Sequence, residues 1–416
     1  MVTKFLYNIL IYLLDFALII ASFFNSRAKK IIKGRKYWRE DLKSAVSKHG
    51  RNMLWFHCAS LGEFEQGRPV IEKLKQQNPG IKILLTFYSP SGFEARKNYK
   101  YADAILYLPA DTKRNARLFI KILKPRIAVF VKYEFWYNFL DACRENSLIL
   151  LSISSIFRTE QVFFKPWGKF FRKRLGYFTH IFVQDENSRL LLGKHGINNI
   201  TVSGDTRFDR VYEISKNPLE IDKVDDFCNG ADVFVLGSIW PSDMKILLPL
   251  INDDSINLKF ILAPHIISER EIAGIQSSLA VSSGRLSAFR DEEDKKVMII
   301  DNIGMLSSLY RHGRIAYVGG AFAEGLHNIL EPAVFGMPVI FGDHPMNKKY
   351  MEVAGLINAG GGFAIRNHEE LRSIVIRLLS DRDLYHSAAT ASATFVANNT
   401  GATGRIVSYM NKYSTG

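Results

Sequence analysis

Short runs of apolar, often β-branched residues alternate with amphipathic stretches along most of the chain. In the first half the apolar runs are residues 53–59, 82–88, 126–131, 148–152, 180–184 and 199–203. Amphipathic stretches at 65–77, 112–123 and 185–195 separate them with the spacing of helices. This alternation predicts a doubly wound parallel sheet, in which candidate site residues stand at the carboxyl ends of the strands.

A polar segment at residues 216–230 interrupts this pattern, and a second alternation follows it. The predicted strands are 232–238, 259–263, 297–301, 314–319 and 337–342, and the closing helices are 369–379 and 384–398. We therefore predict an N-terminal Rossmann-like domain at residues 41–215 and a C-terminal one at 216–416. Residues 1–40 precede them as a separate N-terminal segment.

The stretch 319–342 combines the features of a βαβ unit with a phosphate-binding loop. Two short apolar runs flank a helix predicted to be about two turns long, with Asn328 as its N-cap, Glu331 at its third position and Gly336 after its end. A loop that contains glycine and leads into a helix N-terminus presents backbone N–H groups that suit a phosphate. Alternatively, Asn328 and Glu331 serve only as a capping box.

Composition narrows the class of protein. The chain has 416 residues, 47% of them hydrophobic, and a formal net charge of +14, which favours an anionic partner: nucleic acid, an acidic membrane or a phosphorylated substrate. The three cysteines, Cys58, Cys143 and Cys228, form no CxxC motif and have no histidine at metal-ligand spacing. They indicate buried reduced thiols rather than disulfides or a zinc site.

The N-terminal residues favour a membrane over nucleic acid as that partner. Residues 5–24 are strongly apolar and as a helix would span roughly 30 Å. Asn8, Tyr12, Asp15 and Ser22 fall on one face of that helix, so it either crosses the bilayer or lies in the interface with its polar face against protein. Seven lysines and arginines follow at 27–39 and only Lys4 precedes, which places the body in the cytoplasm. A cleaved signal peptide is disfavoured because its charge order would be reversed.

Polar residues follow the first two predicted strands of the N-terminal domain. Glu63 stands where a turn enters a helix, as a candidate general base or simply as a cap, and residues 89–92 form either an anion cradle or a polar turn. Neither sheet begins with a GxGxxG motif, and the chain has no P-loop sequence, which weighs against a dinucleotide oxidoreductase. Two Rossmann-like halves facing a cleft are the plan of a GT-B glycosyltransferase.

Six motifs together resemble the bacterial 3-deoxy-D-manno-octulosonic acid (Kdo) transferases, over nearly the whole chain. They are SLGE at 60–63, SPSG at 89–92, EFW at 134–136, GDTRFD at 204–209, APH at 263–265 and HNILEP at 327–332. The resemblance implies an inverting, metal-independent GT-B enzyme of lipopolysaccharide biosynthesis. Such an enzyme moves Kdo from CMP-Kdo to a lipid A precursor at the cytoplasmic face of the inner membrane.

The resemblance also implies roles for particular residues. Glu63 would be the general base, and Arg207, where the family usually has lysine, would lie near the departing phosphate. The CMP-binding residues would be Pro264, His265, Ile303, Gly304, Met305, Asn328, Ile329, Leu330 and Glu331. No cofactor, metal or nucleic acid is expected. Two positions depart from the family pattern: Lys132 replaces a glutamate, which leaves its role open, and Met305 replaces an acidic residue.

Three other functions fit parts of this pattern. They are a GT-B enzyme that uses another nucleotide sugar, a sugar-nucleotide epimerase of the same architecture, and a membrane-tethered protein without enzymatic activity. An epimerase would have no use for residues 5–24, and a scaffold would not need Glu63 and residues 327–332 at strand ends. The number of Kdo residues transferred and the acylation of the acceptor stay open.

Overall fold

A computed structural model describes residues 2–132, 135–290, 295–323 and 325–414. The α-helices are α1 (Val2–Ala21), α2 (Ser26–Arg35), α3 (Trp38–His49), α4 (Leu61–Gln77), α5 (Pro90–Arg96), α6 (Lys113–Leu123), α7 (Tyr137–Glu145), α8 (Lys169–Leu175), α9 (Glu186–Gly193), α10 (Thr206–Lys216), α11 (Asp222–Cys228), α12 (Pro241–Ile251), α13 (Glu269–Ser278), α14 (Leu306–Leu309), α15 (Leu330–Ala333), α16 (Met351–Ala359), α17 (His368–Ser380), α18 (Arg382–Asn398) and α19 (Ala402–Ser414).

The strands are β1 (Leu54–Cys58), β2 (Ile83–Phe87), β3 (Ala104–Tyr107), β4 (Ile127–Val131), β5 (Ile149–Ser155), β6 (His180–Val183), β7 (Ile200–Val202), β8 (Val233–Ile239), β9 (Lys259–Pro264), β10 (Ser283–Arg285), β11 (Val297–Ile299), β12 (Ile315–Val318), β13 (Val339–Gly342) and β14 (Gly362–Ile365). All eleven strands predicted from the apolar runs are present. The sequence pattern missed β3, β10 and β14.

The strands form two separate parallel sheets of seven strands each. The first has the order β3-β2-β1-β4-β5-β6-β7 and the second the order β10-β11-β9-β8-β12-β13-β14. Central strands such as β1, β2 and β4 are buried along their whole length, because helices cover both faces of a doubly wound sheet. The predicted fold class, two Rossmann-like α/β sheets, is confirmed.

Each sheet belongs to one compact unit. The first unit comprises Met1–Asp209 together with Thr400–Gly416, and the second comprises Arg210–Asn399, so the division falls within α10. In the first unit an aromatic cluster fills one face of the sheet, with Trp55 packed between Phe119, Phe130 and Phe139. Cys58, Cys143 and Cys228 are buried and free, as predicted.

The last helix differs from the predicted division, which assigned residues 216–416 to one domain. Helix α19 packs through Ile406, Val407 and Met410 against the first sheet. Asp209 accepts hydrogen bonds from the backbone N–H groups of Gly401 and Thr403, and Arg405 donates to the carbonyl of Ser203 at 2.8 Å. Burying these three apolar side chains places the chain end with the first unit.

Helix α1 lies along the first unit with one side against the protein. The Tyr7 hydroxyl donates to Asp111 at 2.6 Å, Asn138 donates to Asn8 at 2.9 Å, and Lys4 pairs with Asp141 at 2.7 Å. The opposite side is exposed and apolar, and it comprises Phe5, Leu6, Ile9, Leu10, Leu13, Phe16 and Ile20. Of the polar residues predicted on one face, only part faces the protein, since Tyr12 stays exposed and the Ser22 hydroxyl donates to the carbonyl of Ile19 within the same segment.

Candidate active site

Glu63 lies at the carboxyl end of β1, in the first turn of α4. Ser60 is the N-cap of this helix, and its Oγ accepts the N–H of Glu63 at 3.4 Å. The Glu63 carboxylate accepts a hydrogen bond from the backbone N–H of Ala59 and is only 6% exposed. Burial, followed by the charges of Glu63 and Glu65, raises the pKa of the neighbouring Cys58 thiol. Glu63 is therefore a buried carboxylate that the turn holds at the sheet edge.

The loop at 89–92 lies directly beside this turn. The N–H of Ser89 donates to the carbonyl of Ala59 at 2.8 Å, and the Ser89 and Ser91 hydroxyls are 2.8 Å apart. A Cβ at Gly92 would lie 3.2 Å from the backbone nitrogen of Leu61 and 2.4 Å from the Phe87 ring. Glycine at position 92 thus lets two strand-to-helix turns approach closely.

Arg207 belongs to a buried polar network that reaches the same helix. Its Nε donates to Asp205 at 2.9 Å, and Asp205 also accepts from Gln66, one turn beyond Glu63, at 3.2 Å. Burial alone would raise the pKa of Asp205, but the charge and hydrogen bonds of Arg207, with the charge of Lys132, hold that pKa below its usual value. The structure thus joins Arg207, through Asp205 and Gln66, to the helix that carries Glu63.

Lys132 ends β4 with a left-handed backbone, φ 61°. Its carbonyl accepts the hydroxyls of Ser152 and Ser155, at 3.1 and 2.7 Å. Because its ammonium favours the ionised form of Asp205, a glutamate at this position would instead repel that carboxylate. This charge interaction gives a local electrostatic reason for lysine at the position where the resemblance led us to expect glutamate.

In the second unit, three aromatic rings meet at the carboxyl edge of the sheet. Trp240 follows β8, His265 follows β9, and His327 lies beyond β12, at the point where the strand order reverses. Trp240 stacks on His265 with ring centroids 4.2 Å apart, and His265 lies 4.6 Å from His327. Ligands of open α/β sheets bind at this switch point, so the stack marks the candidate site of the second unit.

Trp240 sets the proton position on His327. The indole Nε1 donates to His327 Nε2 at 3.0 Å, so the neutral imidazole carries its proton on Nδ1. Burial, and then the charge of His265, lowers the pKa of His327 to about 4. At neutral pH His327 therefore offers one N–H donor and no charge.

A glycine loop after β12 is held by a buried carboxylate. Asp243 is fully buried and accepts the N–H groups of Trp240 and Gly320, both at 2.9 Å, and the Tyr317 hydroxyl at 2.8 Å. A Cβ at Gly319 would lie 2.5 Å from the carbonyl oxygen of Ser238. Only glycine lets the loop pass this close to the end of β8.

The residues after this loop form a shorter helix than predicted. Helix α15 is a single turn beginning at Leu330, rather than two turns capped at Asn328. Asn328 still accepts the N–H of Leu330 through its side chain at 3.2 Å, and its amide donates to Glu331 at 3.1 Å. Ile329 and Leu330 are buried, so the polar functions of this segment belong to Asn328 and Glu331.

The turn at 303–305 follows β11, two strands away from β8. Ile303 is 88% exposed, Gly304 has φ +91°, and Met305 begins α14. Tyr310, just beyond α14, has its pKa raised by burial and then by the charge of Glu331. The turn and Glu331 thus belong to the same edge of the second sheet.

The structure brings together most of the predicted residues within each unit. Pro264, His265 and residues 328–331 share the edge marked by the aromatic stack. In the first unit, the network of Arg207 reaches the helix that carries Glu63. Sequence reasoning missed Trp240, Asp243, Gln66 and Asp205 as site residues. Glu134, the first residue of the EFW motif, lies outside the described residues. Within residues 2–132, 135–290, 295–323 and 325–414, no cluster of three or more His, Cys, Asp or Glu side chains could hold a metal ion.

Comparison with known structures places the fold. The UDP-GlcNAc 2-epimerase from Neisseria meningitidis bound to UDP-GlcNAc superposes with a TM-score of 0.59 at 16% sequence identity, over 86% of this chain and 99% of that one. The two parallel seven-stranded sheets and this likeness define a protein of the GT-B-like fold class. At this identity the likeness concerns the fold alone.

Sequence comparison finds proteins that are similar to this chain over most of its length. The family described as 3-deoxy-D-manno-octulosonic-acid transferase (kdotransferase) matches residues 36–210. The 3-deoxy-D-manno-octulosonic acid transferase of Rickettsia bellii is 27% identical over 389 residues, 89% of this chain and 90% of the relative. That of Aquifex aeolicus is 28% identical over 342 residues, 80% and 88% respectively. Over most of its length the chain is therefore similar to Kdo transferases.

Proposed function

We propose that this enzyme transfers Kdo from CMP-Kdo to a lipid A precursor, with inversion and without a metal ion. The observation that carries the donor half is the edge of the second sheet, where a neutral histidine, a glycine loop and the Asn328–Glu331 pair lie beside a stacked tryptophan. The histidine and the glycine loop suit a nucleotide phosphate, and the Asn328–Glu331 pair suits a ribose hydroxyl. The second unit is accordingly the donor domain.

The donor residues divide into two roles in this proposal. The Nδ1–H of His327 and the backbone of the glycine loop donate to the CMP phosphate, and Glu331 accepts a hydrogen bond from the ribose. Pro264, His265 and the turn at 303–305 surround the remainder of the nucleotide through backbone and ring contacts. Met305 in place of an acidic residue leaves such a backbone contact unchanged.

The first unit is the acceptor domain and supplies the base. An acceptor hydroxyl attacks the anomeric carbon of Kdo, the bond from that carbon to the phosphate oxygen breaks, and CMP leaves with the electron pair. Glu63 takes the hydroxyl proton, and Arg207 stabilises the charge on the departing phosphate. Asp205 and Gln66 are positioning residues, because they fix the Arg207 guanidinium through hydrogen bonds.

Glu331→Gln tests the donor site. This substitution keeps the side-chain shape and the acceptor oxygen facing Asn328 but removes the charge, so we expect CMP binding to weaken by about 1.5–3 kcal/mol. Isothermal calorimetry with CMP on the full-length protein measures this. Glu369→Gln, at an exposed helix start in the same unit, is the control. If Glu331→Gln has an unchanged affinity for CMP, Glu331 does not bind the nucleotide and serves only to contact Asn328.

We further propose that α1 anchors the enzyme in the plane of the inner membrane, on its cytoplasmic side. Within the described chain, residues 3–21 of α1 are long and apolar enough to cross a bilayer. However, Tyr7 and Asn8 are hydrogen-bonded to the folded body, and crossing the bilayer would carry that polar interface into lipid. An in-plane helix keeps those bonds and buries the opposite apolar side. The exposed basic residues of α2 then face anionic headgroups, whereas Arg35 is buried.

Introducing negative charges on the exposed side of α1 tests its placement in the membrane plane. Leu6 and Leu13 are 55% and 58% exposed, and burying one leucine contributes about 1.5–3 kcal/mol. Leu6→Asp/Leu13→Asp should therefore lower vesicle binding by at least about 100-fold, measured by co-sedimentation at high salt. Leu190→Asp/Leu219→Asp, at exposed leucines away from α1, is the matched control. Equal sedimentation of both double variants would contradict the anchor.

A further inference from the structure

A cavity of about 530 Å³ opens at the N-terminal end of α1. Thr3 and Lys4 of α1 form one wall, the end of α7 with Asp141, Arg144 and Glu145 forms another, and the 3-10 turn Pro166–Gly168 with α8 forms the third. We name it the α1–α8 groove. It shares no residue with the Glu63 and Arg207 network described above.

The charges in the α1–α8 groove do not cancel. Asp141 pairs with Lys4 at 2.7 Å and with Arg174 at 3.0 Å, and Glu145 pairs with Arg117 at 2.8 Å. Both carboxylates are therefore already neutralised. Arg144, Lys169 and Lys173 also line the groove, and none of them forms an ion pair within the described part of the chain. The groove consequently carries a net positive charge that suits an anion.

The groove is continuous with the apolar side of α1. Phe5 follows Lys4 directly and is 65% exposed, and the Tyr7 ring lies 6.2 Å from the ring of Phe170 in α8. Trp167, at the groove rim, is 66% exposed. A tryptophan beside lysines and an apolar surface is the composition found at the level of lipid headgroups. The arrangement combines an acyl-chain surface with cations at headgroup depth.

We propose that the α1–α8 groove binds the anionic headgroup of a membrane phospholipid whose acyl chains lie against α1. Lys169 and Lys173 contact the headgroup phosphate, Arg144 adds a third cation, and Trp167 lies among the neighbouring headgroups. This inference rests on the in-plane membrane placement of α1 proposed above, and it adds a preference for anionic lipid. Free phosphate lacks the acyl chains that the adjoining surface would bury.

The test measures binding of the full-length protein to phosphatidylcholine vesicles, to phosphatidylcholine–phosphatidylglycerol vesicles, and to phosphatidylcholine vesicles that contain a lipid A precursor. Lys169→Gln/Lys173→Gln removes two exposed charges from the groove. Lys100→Gln/Lys194→Gln removes two exposed charges elsewhere in the first unit and is the matched control. A salt series for each variant separates the electrostatic contribution from the apolar one.

The groove variant should bind phosphatidylglycerol vesicles about 25-fold more weakly, since each basic residue near an anionic surface contributes about fivefold. Its binding to neutral vesicles should match that of the control, which also shows that the variant is folded. If both variants bind phosphatidylglycerol vesicles equally, the groove proposal is overturned and the membrane placement survives. A loss confined to the lipid A precursor vesicles would make the groove an acceptor site and overturn the phospholipid. If the wild-type protein binds no vesicle, both proposals are wrong.

Discussion

Replacing Glu63 with glutamine should lower kcat by about 10²–10⁴. Glutamine preserves the volume of the side chain and an oxygen that can accept the Ala59 N–H, so the turn before α4 should keep its shape. It cannot take a proton from the acceptor hydroxyl. Steady-state kinetics with saturating donor should therefore show the loss in kcat, while CMP affinity, a property of the second unit in our proposal, stays unchanged.

Glu65→Gln is the control for this experiment. Glu65 lies two residues further along α4 and pairs with Arg96 at 2.8 Å, away from Ala59. Because this ion pair is partly exposed, its loss should cost about 0–1 kcal/mol of stability and leave turnover close to that of the wild type. Near-normal turnover in Glu63→Gln, or an equal loss in both variants, would mean that the base lies elsewhere. Glu134 would then be the next candidate.

Replacing Arg207 with glutamine should lower kcat by about 10²–10³, the usual cost of removing one donor that stabilises developing charge. The variant loses the cation near the departing phosphate in our proposal. Arg207→Lys should retain most of the activity, because lysine keeps a positive charge at this position. Single-turnover measurements on the wild type, Arg207→Gln and Arg207→Lys separate the chemical step from product release.

Asp205→Asn distinguishes a catalytic role of Arg207 from a structural one. The asparagine keeps an oxygen for Gln66 and Arg207 but lacks the charge that positions the guanidinium. If Arg207 acts on the phosphate, Asp205→Asn should lower kcat less than Arg207→Gln does. Equal loss of kcat and stability in Arg207→Gln and Arg207→Lys would show that Arg207 only supports the fold.

The central strands could be predicted from the sequence because helices cover both their faces. Strands β1, β2 and β4 are continuous apolar runs for this reason, and each was predicted to within two residues. The three missed strands lie at or beside the sheet edges, where side chains are only partly covered. Strand β10 has the sequence SGR and β14 has GFAI, and neither carries a run of large apolar residues.

The position of α19 could not be predicted from local pattern. Its apolar face would fit either sheet, and the choice depends on Asp209, which caps this helix from nearly two hundred residues earlier in the chain. The same motif contains Asp205 and Arg207, so one short segment both supports the polar network and holds the chain end. The motif alone does not indicate which of its residues supports the polar network and which one caps α19.

Only part of the candidate site could be predicted from the sequence. Glu63, Asn328 and Glu331 stand at strand-to-helix turns, whose capping chemistry is visible in the sequence. Trp240 and Asp243 were missed because their partners, His327 and Gly320, lie 87 and 77 residues away. A tryptophan directly after an apolar strand, followed by Pro241 and an acidic third helix position, was the available signal.

Mass spectrometry of a single transfer reaction tests the central claim most directly. The purified full-length protein is incubated with a tetraacyl lipid A precursor and CMP-Kdo that is generated in the same reaction. We predict that the precursor gains the mass of one or more Kdo residues with the wild-type protein and gains it at least about 100-fold more slowly with Glu63→Gln. Absence of any gain with wild-type protein that binds CMP, or transfer from a different nucleotide sugar in place of CMP-Kdo, would contradict the proposed function.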